Sequence, residues 1–192
     1  MPRRVDHDQR RAELLEAAVD AIAEYGLDHV KLTDIAASAG VTTGALGYYF
    51  RDKSDLLVAT LDYVAAKMSA GDSRLAMTFF GGGVGLYLPT TDEVRRVWRV
   101  WLAYCGAAPS SPKLMDAYRR FYRTIEDRIA RYLADLGHPE PQDAAGAIVA
   151  AVDGIGLCAT VAPDLWPDDR QVRTMRAFLE PILAPIDQGV SA

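Results

Sequence analysis

The side chains best suited to metal binding or covalent catalysis are few and scattered in this sequence. Three histidines, His7, His29 and His138, lie far apart, and the two cysteines, Cys105 and Cys158, show no CxxC spacing. The sequence contains no nucleophile elbow, no HExxH motif and no distinctive pair of carboxylates. The cysteines are expected to be small buried hydrophobic residues. We therefore predict no enzymatic activity, no metal site and no cofactor.

A different chemistry is indicated between Leu32 and Lys53, where the pattern predicts two very short helices joined by a turn. Thr33 can cap the first helix, Gly40 can end it in a left-handed conformation, and Thr42 can cap the second. The positions expected to face inward are Ile35, Ala36, Ala39, Val41, Leu46 and Phe50. A pair this small has no core of its own, so it is expected to be presented to a partner.

The outward face of the second short helix is small, polar and aromatic. It holds Thr43, Gly44, Gly47 and Tyr48, with Tyr49 near the boundary. A helix that enters a DNA major groove needs small residues near its N-terminal end, so that backbone and hydroxyl groups can approach bases and phosphates. The pattern therefore predicts a helix-turn-helix that binds double-stranded DNA.

The same stretch resembles the DNA-binding signature of TetR-type regulators. The matching residues are Leu32, Thr33, Asp34, Ile35, Ala36, Ala39, Gly40, Val41, Gly44, Ala45, Leu46, Tyr48, Tyr49, Phe50 and Lys53. Gly47 stands where many members carry a tyrosine, which is similar to the branch of the choline-responsive betaine regulators. The resemblance implies DNA contact by Thr33, Thr42, Thr43, Gly44, Tyr48, Tyr49 and Lys53. Thr43 and Tyr48 are expected nearest the base edges, and Thr42, Tyr49 and Lys53 on phosphates.

Charge is the main observation against a nucleic-acid partner. The chain carries a net charge of -5, and its first 55 residues hold seven basic and ten acidic side chains. The cations are nevertheless placed well: Arg3, Arg4, Arg10 and Arg11 lie near the N-terminus, and Arg51 and Lys53 flank the second short helix. We expect few phosphate contacts and modest non-specific affinity. The alternative is a small-molecule-binding helical protein or enzyme with a vestigial helix-turn-helix.

Two longer helices are expected to support the helix-turn-helix. The first spans about residues 8 to 25, with Gly26 as its stop and an apolar stripe of Leu14, Leu15, Ala18, Ile22 and Tyr25. The fourth helix is expected to be capped by Asp52, with Asp55 as its capping-box partner. Its apolar side consists of Leu57, Leu61, Val64 and Met68. Because it belongs to both halves of the chain, a tilt of this helix would move the second short helix.

The segment from Gly71 to Thr91 breaks the helical pattern and contains a glycine run at 81–85. It lacks the GK[ST] of a phosphate loop and the βαβ context of a dinucleotide fingerprint. We interpret it as a linker, with a lid over a ligand pocket as the alternative.

Four helices are expected at about 92–106, 112–136, 142–162 and 168–184. The first two are aromatic at three- and four-residue steps, and their candidate ligand-binding residues are Trp98, Trp101, Tyr104, Met115, Tyr118, Phe121 and Tyr122. Each alone is typical of a core residue. Together they suggest a pocket for an apolar or cationic small molecule.

The last two helices resemble the family's dimer-forming pair. The first has a smooth ridge of Gly146, Ala150, Gly154 and Cys158, and the second an apolar stripe of Val172, Met175, Leu179, Ile182 and Ile186. Asp153 is interpreted as a hydrogen-bonded structural residue, and Pro181 is expected to end or kink the final helix.

Taken together, these patterns predict an all-α protein with a three-helix helix-turn-helix DNA-binding domain at 1–55 and a helical effector-binding and dimerisation domain at 56–192. We expect a cytoplasmic homodimer without a membrane span, because the apolar stretches are interrupted too early. The predicted function is a transcriptional repressor released from its operator when a ligand among Trp98, Trp101, Tyr118 and Tyr122 shifts the fourth helix. The sequence leaves open the effector, the operator, the regulated genes, and repression versus activation.

Overall fold

The structure is a computed structural model, and it describes residues 3–70 and 87–189. Within these ranges the chain forms eight α-helices and no strand, which confirms the all-α class. They are α1 (Arg3–His29), α2 (Leu32–Ser38), α3 (Thr43–Tyr49), α4 (Lys53–Ala70), α5 (Asp92–Ala107), α6 (Pro112–Asp135), α7 (Pro141–Val161) and α8 (Asp168–Gly189), with a 3-10 turn at Ala108–Ser110. The predicted linker or lid at 81–85 lies outside the described residues.

The chain divides into two compact units. The first comprises Met1–Ala70 with Arg99–Arg120, and the second comprises Gly71–Trp98 with Phe121–Ala192. Helices α5 and α6 therefore each contribute residues to both units. The domain boundary that we placed after residue 55 stays a prediction.

Helix α1 is longer than its apolar pattern predicted. Leu14, Ala18 and Ile22 are buried as expected, whereas Tyr25 is 47% exposed, so its place on the apolar stripe was wrong. Gly26 adopts a left-handed φ of 74° that breaks the helical geometry, as expected of a stop, but a further turn follows it. That change of direction carries the chain toward α2 and leaves Tyr25 outside the core.

Helix α4 begins as predicted. The Asp52 carboxylate accepts a hydrogen bond of 2.7 Å from the backbone N–H of Asp55, which is an N-cap bond. Asp55 itself was expected to return a bond to Asp52, and this was wrong, because its carboxylate accepts from the backbone N–H and the guanidinium of Arg51. Leu57, Leu61 and Val64 are buried on one side. The side chain of Met68 lies outside the described residues.

The core of the second unit lies mainly between α7 and α8. Ile148 and Ile155 of α7 pack in one cluster with Met175 and Leu179 of α8. The apolar stripe of α8 therefore faces α7 within the subunit. Pro181 neither ends the helix nor shortens it, since α8 continues to Gly189. Ile182 and Ile186 pack against the same cluster beyond the proline, and this packing offsets the lost backbone hydrogen bond.

Helix α7 is long and apolar enough to cross a membrane by length and composition alone. Core helices pass the same test, and one side of α7 is buried in the cluster with α8. We therefore regard it as a core helix. The two cysteines form no disulfide within the described residues, and both are only half-buried, so the expectation that they are buried was partly wrong.

Candidate nucleic-acid interface

Helix α2 is capped differently from the prediction. The backbone N–H of Lys31 donates to the carboxylate of Asp34 at 2.9 Å, so the N-cap is Lys31 and not Thr33. Asp34 occupies the third helical position, where a carboxylate can satisfy the free N–H before the helix. Thr33 lies within the first turn and is exposed, so its side chain remains accessible to a partner.

The turn between α2 and α3 depends on Gly40. Its φ of 64° is left-handed, as predicted, and the backbone N–H of Val41 then donates to the carbonyl of Ala36 at 2.9 Å. Val41 was expected to be a buried plug, but it is only half-buried. The turn places Thr42 at the N-terminus of α3, where its hydroxyl accepts from the N–H of Ala45 at 3.2 Å. That N-cap confirms the prediction.

Helix α3 has an inner side and an outer side, as the sequence predicted. Leu46 and Phe50 are 2% and 5% exposed, and they anchor the helix in the first unit. The outer side consists of Thr43, Gly44, Gly47 and Tyr48, all exposed, while Tyr49 is half-buried at the edge. Tyr48 is 75% exposed, the largest value among the exposed large hydrophobic residues described.

The two glycines of α3 are not required by packing within the protein. A methyl group at Gly47 would meet nothing within 4 Å, and one at Gly44 would come only within 3.8 Å of the Thr42 hydroxyl. Both contacts are tolerable for an ordinary side chain. Because the glycines carry no side chain, another molecule can approach the backbone of α3 closely on its outer side.

An aromatic cluster that the sequence did not reveal joins α1 to α3. The imidazole of His7 lies 4.7 Å from the ring of Tyr49 and 5.9 Å from that of Tyr48, and the two tyrosine rings are 5.2 Å apart, between centroids. Nearby, the guanidinium of Arg11 lies over the ring of Phe50 at 5.2 Å. His7 is distant from α3 in sequence and fits no motif, so no sequence signal pointed to it.

The cations at the end of α3 differ in their surroundings. Arg51 forms a 2.9 Å ion pair with Asp55, and this hydrogen bonding lowers the pKa of the Asp55 carboxyl. The pairing therefore contributes stability above the ordinary carboxyl pKa, and that contribution is lost as the pH falls through the lowered value. Lys53 donates to the carbonyl of Leu27 at 3.3 Å. Within residues 3–70 and 87–189, Lys53 has no acidic partner within salt-bridge distance.

Four of the candidate ligand-binding residues lie in the first unit. Tyr104 is fully buried and donates to the carbonyl of Leu57 on α4 at 2.6 Å, and burial raises the pKa of its hydroxyl. The rings of Trp101 and Tyr118 are stacked, with centroids 5.4 Å apart and planes inclined by 7°. Met115 is half-buried. The structure thus brings Trp101 and Tyr118 together and links Tyr104 directly to α4.

The other three lie in the second unit. Trp98 is 4% exposed, its indole N–H donates to the carbonyl of Tyr87 at 2.8 Å, and its ring lies against Gly156. The hydroxyl of Tyr122 donates to the carboxylate of Asp153, which fits the structural role expected of that aspartate. Phe121 meets the Tyr122 ring edge to face at 6.0 Å. Internal packing alone accounts for Trp98 and Tyr104, and ligand binding by the seven residues stays a prediction.

Three features define a helix-turn-helix DNA-binding protein: the short α2–α3 pair, the left-handed glycine between the helices, and the exposed face of α3 with its two glycines. Comparison with known proteins agrees. Residues 14–60 match the family described as bacterial regulatory proteins, tetR family, and residues 83–184 match the C-terminal domain of BetI-type transcriptional repressors. The chain belongs to the TetR family of transcriptional regulators, in the branch with a BetI-type C-terminal domain.

Individual relatives resemble the chain over most of its length. The HTH-type transcriptional regulator BetI of Escherichia coli O45:K1 is 28% identical, covering 84% of this chain and 88% of that protein. The crystal structure of a transcriptional regulator from Rhodococcus sp. Rha1 has a TM-score of 0.80 at 26% identity, covering 91% of this chain and 96% of the other. A putative regulator from Saccharomonospora viridis, crystallised with choline, has a TM-score of 0.68 at 26% identity, covering 90% and 96%.

The function predicted from the sequence is therefore confirmed at the level of a DNA-binding transcriptional regulator of the BetI-type repressor class. The rival interpretation, a ligand-binding protein or enzyme with a vestigial helix-turn-helix, is not favoured by these relatives. TetR-family regulators bind operator DNA and small-molecule effectors, and they form dimers.

Proposed function

We propose that this regulator reads its operator through the outer face of α3. The observation that carries the proposal is the division of α3 into a buried side and an exposed side with small residues and hydroxyls near its N-terminus. The contact residues are Thr33, Thr42, Thr43, Gly44, Tyr48, Tyr49 and Lys53. Thr43 and Tyr48, being outermost, reach the base edges, and Thr42, Tyr49 and Lys53 bind phosphates. A gel shift with the DNA upstream of the protein's own gene tests this function, with unrelated DNA of equal length as the control.

The functional form is a homodimer joined through α7 and α8. The apolar residues of these helices that stay exposed include Leu157 at 47%, Val161 at 71% and Phe178 at 50%. Ala150 and Gly154 are also exposed, and with Leu157 and Val161 they follow one another at steps of three and four residues along α7. A smooth apolar face of this kind suits a second copy of the same helix pair. The dimer holds two recognition helices about 34 to 36 Å apart, one turn of the major groove. The predicted cytoplasmic location agrees with such a DNA-bound dimer.

The effector is proposed to be a small quaternary ammonium cation of the choline type. The S. viridis relative was crystallised with choline, and aromatic rings attract such cations. Within the first unit, Met115 and Tyr118 on α6 and Trp101 on α5, the helix that also carries Tyr104, offer thioether and aromatic surface. Because the Tyr104 hydroxyl bonds the Leu57 carbonyl, a shift of α5 is transmitted to α4. A ligand held there favours a pose of α4 that releases the DNA.

Lys53→Ala is expected to weaken binding to all DNA sequences alike. Loss of one phosphate contact in each subunit should reduce the slope of log affinity against log salt by about one unit per subunit. Thr43→Ala should instead relax specificity at one or two base pairs. The measurement is operator affinity by fluorescence anisotropy across a salt series. Lys67→Ala is the matched control, because Lys67 lies on the same helix and pairs with Glu16. An unchanged salt slope in Lys53→Ala would show that Lys53 does not bind phosphate.

Operator and effector are expected to weaken each other's binding by the same factor. A coupling of about 1 to 3 kcal/mol corresponds to roughly 5- to 150-fold, so saturating effector should lower the operator affinity by that factor and not abolish binding. Calorimetric titration of choline into the free protein and into the protein saturated with operator DNA measures this factor. Non-operator DNA of the same length is the control. A choline affinity that is the same with and without operator would rule out this mechanism of release.

A further inference from the structure

The ring cluster of His7, Tyr48 and Tyr49 lies on the exposed side of the helix-turn-helix, and the family signature does not include its α1 member. Each ring contacts both others, at centroid distances of 4.7, 5.2 and 5.9 Å. His7 meets Tyr49 in a tilted arrangement at 33° and Tyr48 nearly edge to face at 68°. These are arrangements that aromatic rings favour.

The ring cluster restricts the orientation of Tyr48 and Tyr49, which the buried core does not determine. Helix α3 has only seven residues, and Leu46 and Phe50 fix its position but not the side chains on its outer face. A tyrosine that is 75% exposed can adopt several rotamers in solution, and ordering it on DNA lowers the affinity. Contact with a third ring, attached to a different helix, restricts both tyrosines before DNA arrives.

We propose that His7 is a positioning residue for DNA recognition, which holds Tyr48 and Tyr49 in the orientation that meets the operator. The inference rests on the proposed DNA contacts of those two tyrosines. His7 acts through its ring on the tyrosines and not through a contact of its own with DNA. The carboxylate of Asp8 lies 3.8 Å from His7 Nδ1.

His7→Ala is expected to weaken operator binding about 3- to 10-fold per subunit, the range corresponding to about one aromatic pair. The protein should remain folded, and the midpoint of urea unfolding should fall only slightly, because His7 is exposed and contributes only these ring contacts. His7→Phe restores a ring without the imidazole nitrogens and should recover the operator affinity. His29→Ala is the matched control, since it removes an exposed histidine near the other end of α1.

A double-mutant cycle separates this inference from the proposed DNA contacts. In a Tyr48→Ala, Tyr49→Ala background, His7→Ala should have no further effect on operator affinity. An equal effect in both backgrounds, a failure of His7→Phe to recover affinity, or a neutral His7→Ala would each overturn the positioning role. If the two tyrosine substitutions themselves leave operator affinity unchanged, the DNA contact surface proposed for α3 is wrong, and the role of His7 falls with it.

Discussion

Gly154→Leu is expected to convert the dimer into folded monomers that bind the operator weakly. A Cβ atom at Gly154 would meet nothing within 4 Å among the described residues of its own subunit, and the position is exposed, so the subunit should fold normally. In a two-fold interface the substitution occurs twice, and overpacking at about 1 to 3 kcal/mol per site weakens the dimer by about 2 to 6 kcal/mol. Losing the linked second half-site should lower operator affinity by about 10²- to 10⁴-fold.

Three measurements test this prediction. Sedimentation velocity at micromolar concentration gives the oligomeric state, circular dichroism shows whether the protein is folded, and a titration gives the operator affinity. Ala134→Leu is the control, because it adds a similar exposed side chain on α6, away from the proposed interface. A Gly154→Leu protein that remains dimeric would show that α7 does not form the interface. An unsubstituted protein that is already monomeric would refute the dimer itself.

Gly156→Ala is expected to destabilise the folded subunit and to leave the proposed dimer interface unchanged. A methyl group at Gly156 would lie 2.1 Å from two carbons of the Trp98 ring. The ring cannot move aside freely, because its indole N–H donates to the Tyr87 carbonyl and the side chain is only 4% exposed. We expect a loss of about 1 to 3 kcal/mol in the free energy of unfolding.

Urea denaturation gives this loss, with Gly146→Ala as the control on the same helix, where a methyl group meets nothing within 4 Å. Trp98→Phe in the Gly156→Ala background should recover part of the stability, since the smaller ring leaves room for the methyl group. A Gly156→Ala protein as stable as the parent chain would show that the Trp98 ring does not pack on α7 as described.

The helix-turn-helix could be predicted closely from the sequence because its signals are local. The cap at Thr42, the left-handed Gly40 and the burial of Leu46 and Phe50 all depend on residues within a few positions of one another. The two incorrect cap assignments also involved residues only a few positions apart. The N-cap of α2 is Lys31, whose N–H donates to Asp34, whereas we had assigned the cap to Thr33. Arg51 binds the Asp55 carboxylate that was expected to bond back to Asp52.

Contacts between distant parts of the chain could not be predicted in this way. No periodicity indicates that His7 meets Tyr49 or that Lys53 donates to Leu27. The ridge on α7 illustrates the same difficulty. Small residues on α7 permit another group to approach closely, but they do not indicate which group it is. At Gly156, beside the ridge, it is Trp98 of the same subunit, whereas at Gly154 we propose a second chain. Pro181 does not end α8, because packing beyond it outweighs its intrinsic preference, and the kink that we gave as the other expectation stays a prediction.

The vacant space above Gly47 has a consequence for how this regulator could acquire a new operator. Glycine within a helix costs about 1 kcal/mol relative to alanine, so Gly47 lowers the intrinsic helix propensity of α3. Since a Cβ atom at Gly47 would meet nothing within 4 Å among the described residues and the position is exposed, we expect many residue types to be tolerated there without destabilising the subunit. Under the DNA contact that we propose for α3, Gly47 is therefore a position at which evolution or engineering can change base preference while the fold is preserved.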